Sequence, residues 1–322
     1  MKDSETATLF RIAKRYYEDG KLQSEIAHDE GISRSLVSKL LAKARDVGIV
    51  KIDISLPVSS SGSALEEMLH ERLCASNAVV FPYSGNGNEY SEWDAINAVA
   101  IQSAVLLPNM LSASLCVGIG WGRTIYRISD ELRFIDPKHE MTFVPLVGNS
   151  GLYNRYLQTS SIANRFAEKY ASRCFYPNVS FDRSQSSKLT PFERASIDEL
   201  SSLWNHIDTA IFSLSSASSV DNYYLSEFSD SLSPSSVHLS ACGEIFSQAY
   251  FADGSTESFV EEYPITAFPL EKLRQIKNTI CIAVGPSKAY SIIWALRCGF
   301  VNTLITDVPT AEAIQIILDE ET

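Results

Sequence analysis

Hydrophobic positions follow two rhythms along the chain. In Gln23–Leu41 they sit at helical spacing around a single glycine, with Ile26 and Ala27 before it and Ile32, Val37 and Leu40 after it. This predicts two short helices packed across a turn at Gly31, where a residue tolerant of positive φ is needed. Small Ala27 lets the second helix approach, and Ser33 suits its N-cap. Ile49–Ile54 alternates apolar and polar residues and predicts a strand, a candidate wing.

From residue 65 the pattern changes. Leu65, Met68, Leu69 and Leu73 predict a helix. Predominantly apolar runs then predict strands at Ala78–Phe81, Leu115–Ile119, Met141–Val147, Thr209–Leu214, Ile280–Val284 and Val301–Ile305. Helical periodicity occupies Ala95–Leu107, Thr124–Leu132, Ile162–Tyr170, Tyr290–Arg297 and Thr310–Leu318. Strands apolar on both faces, alternating with helices, indicate a parallel sheet covered on both sides. Ser213–Ser219 and Ser226–Ser236 read as loops, and no internal repeat is visible.

Charge divides the chain at the same place. Residues 1–56 carry ten Lys/Arg and nine Asp/Glu, whereas residues 57–322 carry 17 and 30. The small, flexible stretch Pro57–Ser63 lies at the break, so the expected organisation is a unit at 1–56, a linker at 57–64 and a second unit at 65–322. A net charge of −12 argues against a protein that coats nucleic acid with its whole surface, but not against one basic face. Such a face exists: Ser33–Arg45 holds Arg34, Lys39, Lys43 and Arg45 and no acidic residue. Double-stranded DNA is the partner this strip fits. Gln23, Ser33, Arg34, Ser35, Ser38, Lys39, Lys43 and Arg45 are the candidate contacts. An ordinary helical hairpin with a solvated basic face is the plainer alternative.

The six cysteines include no CxxC pair and lie mostly in apolar runs, which reads as free thiols rather than a disulfide framework or a metal site. The first twenty residues are charged throughout, and no stretch approaches about 18 apolar residues. A cytoplasmic protein without a membrane span is expected, with no metal and no cofactor.

Candidate ligand chemistry lies in the glycine turns. The strand ending at Ile119 runs through Gly120, Trp121, Gly122, Arg123 and Thr124 into a helix, a geometry that aims backbone N–H groups and a positive helix end at an anion. Nucleotide-binding motifs fail here: Arg123 stands where GxGxxG needs its third glycine, and GxxxxGK[ST] is absent. Gly148, Asn149 and Ser150 form a second turn after the next strand. Val284–Lys288 forms a third, in which Lys288 stands near the start of a helix. Such turns gather at the carboxyl ends of parallel strands. The expected ligand contacts are Gly120, Trp121, Gly122, Arg123, Thr124, Gly148, Asn149, Ser150 and Lys288.

Tyr16-Tyr17, Gln23–Ala27, Gly31–Arg34, Val37-Ser38, Leu40-Leu41, Ala44-Arg45 and Gly48–Val50 resemble the DNA-binding domain of the SorC/DeoR family of bacterial sugar-responsive transcription regulators. Gly118–Thr124, Val144–Gly148 and Cys281–Thr306 resemble that family's glycine loops and closing strand–helix–strand. Gly120–Arg123 and Asn154–Tyr156 are most similar to its sorbose/sorbitol branch. The resemblance implies an α/β chain: a small winged helix-turn-helix domain plus a Rossmann-like parallel-sheet effector domain similar to sugar-phosphate isomerases. It also implies a phosphorylated sugar or polyol as effector, and a homo-oligomer, usually a tetramer. The chain departs from the family at Ser213–Ser216, where a Gly-Ile-Gly turn is usual, and at Ala252, where an Asp is common. A sugar-phosphate enzyme of isomerase or deaminase type is the second reading. It requires an acid and a base in the crevice. Few acidic residues and no histidine are expected there, so no catalytic residue is assigned and the regulator is preferred.

Overall fold

The computed structural model describes residues 3–50, 60–83, 89–135, 139–148, 155–177, 190–216, 240–258 and 266–321. The chain forms two compact units, Met1–Leu56 and Pro57–Thr322.

The first unit is three helices: α1 (Asp3–Tyr17), α2 (Gln23–Glu30) and α3 (Arg34–Asp46). Leu9, Ile12 and Ala13 of α1, Ile26 and Ala27 of α2, and Val37, Leu41 and Ala44 of α3 share one buried core. Their three- and four-residue spacing puts each set on one helix face. Leu40, expected in that seam, is only partly buried, and Leu41 takes the buried position. Gly31 ends α2 at φ 65°. Two residues later the Ser33 hydroxyl accepts the Leu36 N–H at 3.2 Å and caps α3. The expected wing strand extends into 51–54, which lie outside the described residues.

The second unit opens with α4 (Ser60–Leu73), which begins inside the segment expected to be a flexible linker. Burial of Leu65, Leu69 and Leu73 anchors this helix, and its serine-rich start is compatible with a first turn. There follow β1 (Asn77–Phe81), α5 (Glu92–Met110), β2 (Cys116–Ile119), α6 (Arg123–Glu131), β3 (Thr142–Pro145), α7 (Thr159–Lys169), β4 (Arg173–Cys174), α8 (Pro191–Trp204) and β5 (Thr209–Phe212). Three short strands come next, β6 (Gly243–Ile245), β7 (Gln248–Tyr250) and β8 (Thr256–Ser258). The unit closes with β9 (Asn278–Ile282), α9 (Ala289–Arg297), β10 (Thr303–Asp307) and α10 (Val308–Glu320).

Seven strands form one parallel sheet in the order β1-β10-β9-β5-β2-β3-β4. Strand periodicity sorts side chains onto its two faces. Ala210, Phe212, Cys281 and Leu304 join one buried cluster; Ile211, Ile280, Ile282 and Ile305 join the other. From β2 the chain steps outward to β3 and β4, then returns to the opposite side of β2 as β5. The carboxyl ends of β2 and β5 therefore flank the point where strand order reverses, the usual place for a ligand crevice. A separate antiparallel sheet, β6-β7-β8, was not anticipated from the sequence.

Candidate functional site

Charges in the helical unit are sorted by face. Glu30 binds Arg11 through two hydrogen bonds, at 3.1 and 2.8 Å, and Arg15 at 3.0 Å. Asp29 takes Lys21 at 2.9 Å. Asp29 and Glu30 of α2 are thus committed to cations of α1 and the loop after it, while the Glu25 carboxylate accepts the Leu22 N–H at 2.8 Å. Helix α3 keeps its basic residues on the surface: Arg34, Ser35, Ser38, Lys39, Lys43 and Arg45 are all exposed. At about 100° per residue, Ser35 and Lys39 point away from the Val37–Leu41–Ala44 seam. Arg34, Ser38 and Arg45 lie on one flank and Lys43 on the other. Gln23 is the first residue of α2 and half-buried. The eight candidate contacts therefore collect on α3 and at the start of α2.

In the sheet unit, α6 begins at Arg123 directly after Gly122. The Tyr126 N–H is already bonded to Gly122 O at 2.9 Å, so the N–H groups of Arg123, Thr124 and Ile125 form the helix end without intrahelical acceptors. Two expected donors are committed elsewhere. Gly120 N–H bonds Ile211 O at 2.8 Å and Gly122 N–H bonds Tyr156 O at 2.9 Å. Gly148 N–H likewise bonds Thr266 O at 2.7 Å.

Packing and backbone conformation each give these positions a reason to be glycine. A Cβ on Gly120 would stand 2.9 Å from Phe212 Cβ and 3.0 Å from the Phe246 ring, so this position is small to fit β5 and the β6–β7 turn. Gly122 faces open space but adopts φ 120°, which side-chain-bearing residues rarely tolerate. The turn Arg155–Leu157 braces the loop through Tyr156 O, and the Arg155 guanidinium lies 5.4 and 5.3 Å from the Tyr126 and Tyr156 ring centres. Trp121 is half-buried and Thr124 is buried. Asn149 and Ser150 lie outside the described residues.

Lys288 and Arg123 meet on a residue that the sequence did not single out. Glu92 Oε1 accepts from Lys288 Nζ at 2.9 Å and from Arg123 Nη2 at 3.2 Å. The Lys288 side chain is only 12% exposed. One acidic residue, Glu92, stands between the two cations. Asp307, at the end of β10, is fully buried and takes hydrogen bonds from Tyr90 Oη at 3.0 Å and from Thr310. Burial raises its carboxyl above the ordinary range, partly offset by those bonds. As the N-cap of α10 it serves the fold. Among the described residues no cluster of His, Cys, Asp or Glu could hold a metal ion, and no helix is long and apolar enough to cross a membrane.

The β6–β7 turn over the Gly120 loop is another feature absent from the sequence reading. Phe246 and Ser247 both adopt positive φ, 55° and 56°, and both are buried. Neither is a glycine, asparagine or aspartate, so the usual signal for such a turn is missing.

Comparisons with known proteins extend over both the helical unit and the parallel-sheet unit. The family described as "Putative sugar-binding domain" matches residues 60–315, most of the chain, and the chain belongs to it. It is 28% identical to the sorbitol operon regulator of Klebsiella pneumoniae, over 98% of this chain and 99% of that one. It is 25% identical to the deoxyribonucleoside regulator of Bacillus subtilis, over 94% of this chain and 95% of the relative. Both relatives are named as regulators, not enzymes. The crystal structure of the full-length sorbitol operon regulator SorC from K. pneumoniae superposes with a TM-score of 0.76 at 24% identity, covering 99% of both chains. A DeoR family transcriptional regulator from Listeria monocytogenes superposes with a TM-score of 0.65 at 21% identity, over 79% of this chain and 100% of that one.

Proposed function

We propose that the protein is a DNA-binding transcription regulator of a carbohydrate catabolism operon, controlled by a phosphorylated sugar or polyol in its sheet unit. In this reading residues 1–56 bind the operator, and residues 65–322 bind the effector and join copies into a homo-oligomer, a tetramer, in the cytoplasm. The observation that carries it is α3: a capped helix following a Gly31 turn, with four exposed cations and no acidic residue before Asp46. In such a unit the second helix enters the major groove with its N-terminal residues at base edges. Arg34, Ser35, Ser38 and Lys39 take that role, while Gln23, Ser33, Lys43 and Arg45 approach backbone phosphates. The names of the full-length relatives support the regulatory role.

The effector's phosphate lies at the start of α6, held by Arg123, Lys288 and the N–H groups of the first turn; Trp121, Gly148, Asn149 and Ser150 are the remaining candidate contacts from the sequence. A dianion suits two cations beside a helix end. Binding biases the oligomer geometry and hence the spacing of half-sites.

Selection of bound duplexes from a random pool, followed by fluorescence anisotropy on the winner, tests the DNA assignment. The double variant Arg34→Ala, Lys39→Ala is expected to lose roughly 1–3 kcal/mol per specific base contact. Unchanged binding by that variant at moderate salt contradicts the assignment.

A further inference from the structure

Three helices begin beside one carboxylate. Glu92 is the first residue of α5, Arg123 the first of α6, and Lys288 immediately precedes α9. Their strands, β1, β2 and β9, are separated in the sheet, so only the folded topology brings these residues together. Glu92 Oε1 is shared, 2.9 Å from Lys288 Nζ and 3.2 Å from Arg123 Nη2. The three side chains are 28%, 12% and 21% exposed for Glu92, Lys288 and Arg123, so the group is sheltered yet open to a small solute.

We propose that Glu92 is the resident anion of the effector site and sets its specificity: it occupies the position of the ligand's phosphate and must be displaced when the ligand binds. This inference rests on the reading of the crevice as a phosphate site. Two cations and one carboxylate leave a single net positive charge. A neutral sugar cannot take over the role of Glu92, because it brings no charge to two partly desolvated cations. A monoanionic carboxylate exchanges one charge for an equal one and gains little. A phosphate dianion neutralises both cations and offers separate oxygens to Arg123, Lys288 and the first turn of α6. Competition from Glu92 thus raises a threshold that a dianion passes and weaker anions do not, which is selection against the wrong ligand. Its displacement also releases the start of α5 from α6 and α9, so the same exchange that admits the ligand loosens a three-way tie.

Calorimetric titration of the full-length protein with inorganic phosphate, and separately with acetate, tests the inference. Glu92→Gln keeps the shape and removes the charge. It is expected to bind phosphate on the order of tenfold more tightly than the unsubstituted protein, and to show acetate binding that the unsubstituted protein lacks. Glu92→Asp, whose shorter side chain cannot bridge both cations, is expected to tighten phosphate binding too; it serves if the glutamine variant fails to fold. Phosphate affinity unchanged or weakened in folded Glu92 variants overturns the inference. Lys288→Ala separates the two levels of the argument. If it weakens phosphate binding while Glu92→Gln does not strengthen it, the site stands and the role of Glu92 falls. If phosphate binds neither the unsubstituted protein nor Glu92→Gln, the phosphate site and the inference fall together.

Discussion

Glu244 gives the fold a measurable pH dependence. It lies in β6, paired with Ala249 of β7, and is 7% exposed. Burial pushes its carboxyl up from an ordinary 4.5 to about 7, with contact to Ser247 offsetting part of the rise. Below pH 4.5 the group is largely protonated in folded and unfolded chains alike and costs little. Between there and about 7 the folded chain keeps a proton that the unfolded chain has released, so stability falls as pH rises. Above about 7 the loss is complete. That gap, at about 1.4 kcal/mol per pH unit, is worth about 3 kcal/mol. Glu244→Gln keeps the size and removes the ionisation. The variant and the parent should be nearly equal in their pH-dependent term at pH 4.5, and the variant should gain about 2–3 kcal/mol over the parent on moving to pH 8. All four tryptophans lie beyond residue 56, so urea unfolding followed by tryptophan fluorescence reports this unit. A stability difference between the two proteins that is the same at both pH values refutes the reasoning.

Gly120→Ala places a methyl group 2.9 Å from Phe212 Cβ, and overpacking of this kind should cost about 1–3 kcal/mol, read as a lowered melting temperature. Ser33→Ala removes the α3 N-cap and should cost about 1 kcal/mol, measured by circular dichroism on the isolated 1–56 unit if it folds alone, or on the full chain otherwise. Lys288→Ala should weaken a phosphorylated effector by on the order of 1.5–3 kcal/mol, by calorimetry, without altering operator binding in the absence of effector.

The central strands were legible because both of their faces are buried, which leaves short apolar runs such as Ile280–Val284 with no polar alternation. Amphipathic helices were legible for the converse reason. The small β6–β8 sheet was not, since its strands are three residues each and its first turn is Phe246-Ser247, with no glycine, asparagine or aspartate to mark the positive φ. Helix α8 carried a signal that went unread: Thr190-Pro191 followed by Glu193 is a capping box, and the structure forms it, with Glu193 N–H on the Thr190 hydroxyl at 3.2 Å and the Glu193 carboxylate on Thr190 N–H at 2.8 Å. The glycine loop was placed correctly by its strand–turn–helix pattern. Nothing in the sequence shows that Ile211 and Tyr156 carbonyls already hold the Gly120 and Gly122 N–H groups. Glu92 was invisible for a deeper reason. Its partners lie 31 and 196 residues away, and only the strand order brings the three together.

In the proposed function, a phosphorylated sugar bound in the sheet unit changes the grip of α3 on DNA. Fluorescence anisotropy of the selected duplex, with full-length protein titrated by matched phosphorylated and unphosphorylated sugars and polyols, tests it most directly. At least one phosphorylated compound should shift the DNA dissociation constant severalfold or more, its unphosphorylated form should not, and Lys288→Ala should move the effective concentration upward. Equal responses to the two forms of each compound, or a response untouched by Lys288→Ala, would contradict the account.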